Sequence, residues 1–351
     1  MKRIVFTGGG TAGHIIPNLA IIEELKDYKI YYLGSNGMEK ELVKNNPQIT
    51  YIEIPIVKFK RSLSPSNLLL PFKLIKAINK TKSILKEIQP DLIFSKGGYV
   101  SIPPCLAGNS LKIPIITHES DLSIGLANKI IAKKAKYLCC SFKSTAENYG
   151  RNAIHTGSPV RKKITNGNKD IVIKRHKLTS KKPVILIVGG SLGAQAINEV
   201  IWNNIPALCK EYTILHIVGK NKTNSNINNP NYYQIEFASD IENYFACADI
   251  VISRAGSNTI FELLSIHKPM ILIPLPKSTH SRGDQVDNAK YFEENKLAKV
   301  IKQSELNINK LNNEIKHLLR NRNQIIATMQ NYKNSRGNAK ILELINKTID
   351  N

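Results

Sequence analysis

His14 closes the run Gly8-Gly9-Gly10-Thr11-Ala12-Gly13-His14, which follows the apolar stretch Ile4-Val5-Phe6. A glycine loop at the end of a strand lets backbone amides approach a phosphate, and the next helix adds partial positive charge at its first turn. A histidine there can do more than bind. The positive helix end disfavours imidazolium, so a neutral ring able to take a proton near neutral pH is expected. The competing reading is a histidine that only hydrogen-bonds a neighbouring backbone group.

The spacing Gly8-x-Gly10-x-x-Gly13 matches the dinucleotide fingerprint, but Tyr32-Leu33-Gly34-Ser35-Asn36 carries no carboxylate for a ribose. Gly8 to Gly13 also has P-loop spacing, yet His14-Ile15 stand where Lys-Ser/Thr are needed. NAD and ATP sites are therefore disfavoured. A second loop, Gly189-Gly190-Ser191-Leu192-Gly193, repeats the scaffold with Ala194 in the histidine's place. A third, Ser253-Arg254-Ala255-Gly256-Ser257-Asn258-Thr259-Ile260-Phe261-Glu262, again sits at a strand-to-helix junction. Glu262 there has two readings: the capping-box partner of Thr259, or the acceptor of two ribose hydroxyls. Asp284, Gln285 and Asn288 fall on adjacent turns of a polar helix start and suit either sugar hydroxyls or solvent. His118, Glu119 and Asp121 follow another strand and are further base candidates, Glu119 as second choice or orienting partner.

Strands are expected near 2–6, 29–33, 50–54, 91–95, 113–117 and 137–141, then near 184–188, 213–218, 232–237, 249–253 and 270–273. Helical patterns lie between most of them, including 14–26 and 73–88. This alternation predicts α/β architecture with parallel sheets covered on both faces. The echo between the halves predicts two doubly wound domains, 1–162 and 163–334, joined by the polar, basic stretch 161–182, with a last helix near 335–351 that belongs to either.

The 351 residues suffice for two cores. The net charge of +23 admits nucleic acid, an anionic membrane or a Lys- and Asn-rich composition. No binding module or stacking-aromatic pattern supports nucleic acid. The five cysteines form no metal-ligand spacing and fit buried, reduced thiols. No signal peptide or membrane-spanning run appears, so a cytosolic protein is expected, with any membrane contact peripheral.

The ordered motifs GGGTAGHIIP, SKGGYVSIP, HESDLSIGLANK, GSPVR, GGSLGAQAIN, SRAGSNTIFE and RGDQVDNA together resemble the bacterial MurG-type N-acetylglucosaminyltransferases of peptidoglycan synthesis, from about residue 3 to 345. The resemblance implies a GT-B fold, two Rossmann-like domains facing across a cleft. It implies inverting transfer of N-acetylglucosamine from UDP-N-acetylglucosamine to lipid I, without cofactor or metal, at the cytoplasmic face of the membrane. It implies that Thr11, Ala12 and Gly13 line the acceptor-side loop, and that Arg161 and Ser191 contact the donor. Ser257, Asn258 and Thr259 would lie near the diphosphate and Glu262 on the ribose, with Asp284, Gln285 and Asn288 on the sugar. Many members carry Gly at the Ala12 place, and some carry His-Glu-Gln-Asn where this chain has His118-Glu119-Ser120-Asp121. Another GT-B lipid glycosyltransferase and a UDP-N-acetylglucosamine epimerase are the alternatives.

Between Ile54 and Lys86 eight basic residues occur and no acid. The positions Leu74, Ile78, Thr81, Leu85 and Ile88 have helical spacing and are expected to face the core. Leu68, Leu69, Leu70 and Phe72, ringed by Lys73 and Lys76, are left over and have the composition of an anchor for an anionic inner-leaflet surface.

Overall fold

The computed structural model describes residues 1–57, 70–150, 152–190, 193–278, 282–333 and 335–350. Leu68, Leu69 and Ser191 lie outside the described residues. The chain forms two compact units, one of Met1–Arg161 with Arg336–Asn351, the other of Lys162–Ser335.

The first unit is built on seven parallel strands: β1 (Lys2–Thr7), β2 (Tyr28–Gly34), β3 (Ile49–Glu53), β4 (Leu92–Ser95), β5 (Ile115–Glu119), β6 (Tyr137–Cys140) and β7 (Ala153–His155). They lie in the order β3-β2-β1-β4-β5-β6-β7. Ile4, Val5 and Phe6 of β1 and Leu92, Ile93 and Phe94 of β4 are fully buried, as expected of strands covered on both faces. The order reverses between β1 and β4, which pair in register from Ile4↔Leu92 to Thr7↔Ser95. Such a switch point opens a crevice beyond the carboxyl ends of the two strands. Both glycine segments of this unit, Gly8–Gly13 and Gly97-Gly98, start there.

The closing helix Asn338–Asp350 belongs to this unit. Its Ile341, Leu344 and Ile345 share a core with Ile4, Phe6 and Ile21.

The second unit repeats the plan with β8 (Val184–Val188), β9 (Thr213–Ile217), β10 (Tyr232–Ile235), β11 (Ile250–Ser253), β12 (Met270–Leu272) and β13 (Lys299–Val300). Their order is β10-β9-β8-β11-β12-β13, so the reversal falls between β8 and β11. The loops after these two strands carry the second and third glycine motifs.

Several local expectations are corrected. The edge strands β7 and β13 are three and two residues long, too short for a hydrophobic pattern. The stretch 161–182 is not irregular throughout: it holds the helix Lys169–His176, started by Asn168, whose side chain accepts from the Asp170 amide at 2.9 Å. Only Val172 of that helix is buried, so its sequence shows no apolar stripe. The first helix runs Ala12–Ile22 rather than 14–26. The helix runs Leu70–Ile88 rather than 73–88 and buries Leu70 and Ala77 as well as Thr81, Leu85 and Ile88, with Leu74 and Ile78 half-buried and packed against the core as expected.

Candidate active site

In the first unit the glycine loop is gripped from below by Glu39, a fully buried carboxylate. Its oxygens accept from the Gly10 amide at 3.3 Å and the Ser35 amide at 2.8 Å, and from the Ser35 hydroxyl. The Tyr32 hydroxyl donates to the Gly8 carbonyl at 2.6 Å. Gly10 has φ +86° and lies so close to Tyr99 that a Cβ would sit 2.7 Å from its ring. The loop is thus held open and rigid before the helix begins.

Thr11 is the N-cap residue of that helix, but its hydroxyl makes no cap bond to the backbone. It lies 3.1 Å from Nδ1 of His14 instead. His14 is half-buried in the first turn and faces Gly98 closely, where an added Cβ would stand 3.2 Å from Nδ1. Thr11, His14 and Gly98 therefore come together at the switch point, along with Ala12 and Gly13 of the same turn.

Glu119 ends β5, and both of its oxygens serve the loop that follows. Oε1 accepts from the Asp121 amide at 3.1 Å; Oε2 accepts from the Gly125 amide at 2.9 Å and from Asn128 Nδ2 at 3.0 Å. Burial and the nearby Asp121 charge raise its carboxyl above the usual range, against these bonds. A carboxylate so enclosed organises a loop, which is the arrangement of an orienting partner, the second of the two roles expected of Glu119. His118 is fully buried, with Nε2 3.1 Å from the Gly157 carbonyl. Burial and the Lys96 charge push it well below the ordinary histidine value.

In the second unit a cavity of about 500 Å³ lies beyond the ends of β8 and β11, with Gly189, Gly193, Lys222, Arg254, Gln285 and Gln303 among its walls. Asn198 and His216 brace it from behind: Asn198 Nδ2 donates to the Val218 carbonyl at 2.9 Å, and its Oδ1 is 3.0 Å from His216 Nε2. Arg254 is fixed by the Ile273 carbonyl at 3.0 Å and by Gln303 Oε1 at 2.6 Å. Its partial burial lowers the guanidinium value. Sequence reasoning quoted Arg254 within its motif and gave it no role; it missed Lys222 and Gln303 altogether.

The helix Ser257–Ser265 starts after Gly256 with no side-chain cap, so its first amides point beyond β11 unshielded by a capping side chain. Thr259 is the third residue of that helix rather than its cap, and the expected capping box with Glu262 does not form. Ser257 and Glu262 are buried, while Asn258 and Thr259 are half-buried. On the helix Asp284–Glu294, Gln285 Oε1 accepts from the Leu275 amide at 3.0 Å at the edge of the cavity. Asp284 pairs with Arg282 at 3.0 Å. Asn288 is fully buried and donates to the Ala255 carbonyl at 3.3 Å, tying two helix starts together. Arg161 is half-buried and is the last residue of the first unit before the boundary.

On the helices Leu70–Ile88 and Leu126–Ala132, Phe72 is 72% exposed and Leu126 66%, with Ile75 and Ile130 also on the surface. Lys73, Lys76 and Lys129 are exposed on the same helices. Leu70 is buried against Val57 and Ala77, which corrects its expected place on an apolar surface. Among the described residues no helix is long and apolar enough to cross a membrane.

Two family models match the chain: the glycosyltransferase family 28 N-terminal domain over residues 4–139 and the family 28 C-terminal domain over residues 184–345. A relative from Lachnospira eligens is 41% identical over 98% of this chain and 99% of its own length. It is a UDP-N-acetylglucosamine–N-acetylmuramyl-(pentapeptide) pyrophosphoryl-undecaprenol N-acetylglucosamine transferase, as is one from Clostridium botulinum, 40% identical over 99% of both chains. The crystal structure of Acinetobacter baumannii MurG superposes with a TM-score of 0.76 at 26% identity, over 99% of this chain and 100% of that one. A putative UDP-N-acetylglucosamine 2-epimerase from Listeria monocytogenes shares the fold at TM-score 0.69 and 16% identity, over 100% of this chain and 97% of that one. The fold is of the GT-B class, with two doubly wound parallel α/β domains. With both halves matched and relatives of this identity along nearly its whole length, the chain belongs to glycosyltransferase family 28.

Proposed function

We propose that this chain transfers N-acetylglucosamine from UDP-N-acetylglucosamine to the lipid-linked muramyl-pentapeptide, lipid I, forming lipid II for the cell wall. The full-length likeness to relatives that carry this activity in their names supports the reaction. The observation that carries the chemistry is the contact of Thr11 Oγ1 with His14 Nδ1 at 3.1 Å. With Nδ1–H donating to the threonine, the lone pair on Nε2 is left to take the proton of the acceptor hydroxyl. The hydroxyl oxygen attacks the anomeric carbon as the bond to UDP breaks on the opposite side, so the anomeric centre inverts. Ala12 and Gly13 give the acceptor close access to that turn.

The leaving diphosphate gathers negative charge. The amides of Gly189, Gly190 and Gly193 and of the helix start at Ser257, Asn258 and Thr259 meet it, with Arg254, and Arg161 is a further candidate for the donor. Glu262 accepts from the ribose hydroxyls, and Gln285, with Asp284 beside it, holds the sugar. No metal takes part in this scheme.

The enzyme works as a peripheral protein at the cytoplasmic face, where its acceptor is embedded. Phe72, Ile75, Leu126 and Ile130 enter the headgroup region and Lys73, Lys76 and Lys129 meet anionic lipid.

The test is incorporation of labelled N-acetylglucosamine into a lipid I analogue, with and without chelator. Transfer is expected in both cases. His14→Ala should lower turnover by roughly 100-fold or more with donor affinity nearly unchanged. Near-normal turnover of that variant removes His14 as the base, and label appearing only as free sugar or epimer replaces the transferase reading.

A further inference from the structure

Lys96 is the one fully buried lysine at the end of a strand among the described residues, and no step above uses it. It follows β4 at the switch point and is 1% exposed. Its ammonium donates to Ser120 Oγ. Burying an ammonium is costly unless opposite charge is close. Here the opposing groups are Glu119, the last residue of β5, and Asp121 in the loop after it, with the Cys139 thiol on β6 as a weaker contributor. His118, also on β5, is kept neutral partly by the Lys96 charge. On the other side, a Cβ on Gly8 would stand 3.0 Å from Lys96 Cβ, so the catalytic glycine loop leans directly on this side chain.

The two residues after Lys96 carry its position further. Gly97 abuts Asn128, where a Cβ would come within 2.8 Å of Oδ1, and Asn128 in turn holds Glu119 and the His118 carbonyl. Gly98 abuts His14. One short segment thus touches the glycine loop, the loop 120–125 and the His14 ring.

We propose that Lys96 is a positioning residue of this site: the internal counter-ion to the Glu119 and Asp121 carboxylates, which fixes the loop 120–125 and the wall behind His14. Its loss leaves the buried Glu119 and the half-buried Asp121 beside each other without the Lys96 charge, and the loop they hold must shift. Burial, opposed by Glu119 and then Asp121, brings Lys96 down to about 8. The ammonium is therefore present below that pH and lost above it, so turnover should fall on the alkaline side. The groups that face this titration are His118, Glu119, Ser120, Asp121 and Cys139.

The experiment compares Lys96→Met, Lys96→Met with Asp121→Asn, and Ser120→Ala in the full chain. Lys96→Met should lower kcat by roughly 10-fold or more, with KM for UDP-N-acetylglucosamine unchanged, and lower Tm. Adding Asp121→Asn returns the group to the parent's net charge and should restore kcat to within about 3-fold of the parent, restore Tm, and leave a profile without the alkaline limb. Ser120→Ala keeps every charge but withdraws the ammonium's hydrogen bond, so its alkaline limb should move to lower pH. A double variant no better than Lys96→Met in both kcat and Tm overturns the proposal, as does an alkaline limb unmoved in Ser120→Ala. The inference rests on the transfer reading only for its kinetic arm. Failure of the parent to transfer refutes that reading, while the Tm rescue still decides the counter-ion role.

Discussion

Arg254 shows what a single side chain contributes in the second unit. Its guanidinium spends donors on the Ile273 carbonyl and Gln303, which fixes its plane at the edge of the cavity with a charge still facing inward. A planar fork held at two points is pre-organised in a way that a lysine ammonium is not. Arg254→Ala should therefore raise KM for UDP-N-acetylglucosamine by roughly 10- to 100-fold, and Arg254→Lys should recover little of it. Steady-state kinetics and UDP titration check this; a lysine variant with parental KM would show that charge alone suffices. The sequence made the glycines legible, because Gly10 and Gly193 stand at positive φ where few other residues fit. It did not make Glu39, Lys96 or Arg254 legible as supports. A buried charge looks like any surface charge until the fold brings its partners in, and Glu39 meets Gly10 across 29 positions of chain.

At the scale of elements, long strands and their parallel, doubly wound arrangement were readable and short or polar elements were not. β1, β4, β8 and β11 are continuous apolar runs, so their existence and the glycine loops after them followed from pattern alone. The helix Lys169–His176 buries a single residue and was invisible to periodicity. The helix Leu70–Ile88 is instructive in both respects. Its inner stripe was readable, with Thr81, Leu85 and Ile88 buried and Leu74 and Ile78 packed against the core, while Leu70 and Ala77, which were not expected there, also turn inward. Phe72 and Ile75 are exposed beside Lys73 and Lys76, and Leu126 and Ile130 are exposed on a second helix, the composition of the apolar, basic anchor proposed above. Both helices pack against Ile102–Ser110. Phe72→Ser with Leu126→Ser should weaken binding to anionic vesicles by roughly 10-fold or more and leave transfer to a water-soluble acceptor analogue intact. Flotation or sedimentation with vesicles measures this. Undiminished binding, or none by the parent, removes these helices from a membrane role.

At the scale of the whole molecule, the chain leaves the first unit at Arg161, builds the second, and returns at Arg336. That return is made by chemistry the sequence half concealed. A last helix near 335–351 was recognisable, but not which core it completes. Asn338 decides: its Nδ2 donates to the Ala20 carbonyl at 3.2 Å, the Val160 carbonyl at 3.1 Å and Glu24 Oε1 at 2.6 Å, and its Oδ1 accepts from the Val160 amide at 2.9 Å. One buried amide thereby joins the first helix, the end of the first pass and the closing helix. The side chains of Ile341, Leu344 and Ile345 behind it are buried in the β1–β4 core, which at about 1.5–3 kcal/mol each amounts to ~5–9 kcal/mol. A domain's entire stability is typically about 5–15 kcal/mol, so this helix is indispensable to the first unit although it is last in the chain. A chain ending at Ser335 should lose the unfolding transition of the first unit, keep that of the second, bind UDP within about 3-fold of the parent and transfer no sugar. Calorimetry with UDP titration distinguishes the outcomes. Two parental transitions would mean that the closing helix adds little, and loss of both would mean that the second unit depends on the first to fold.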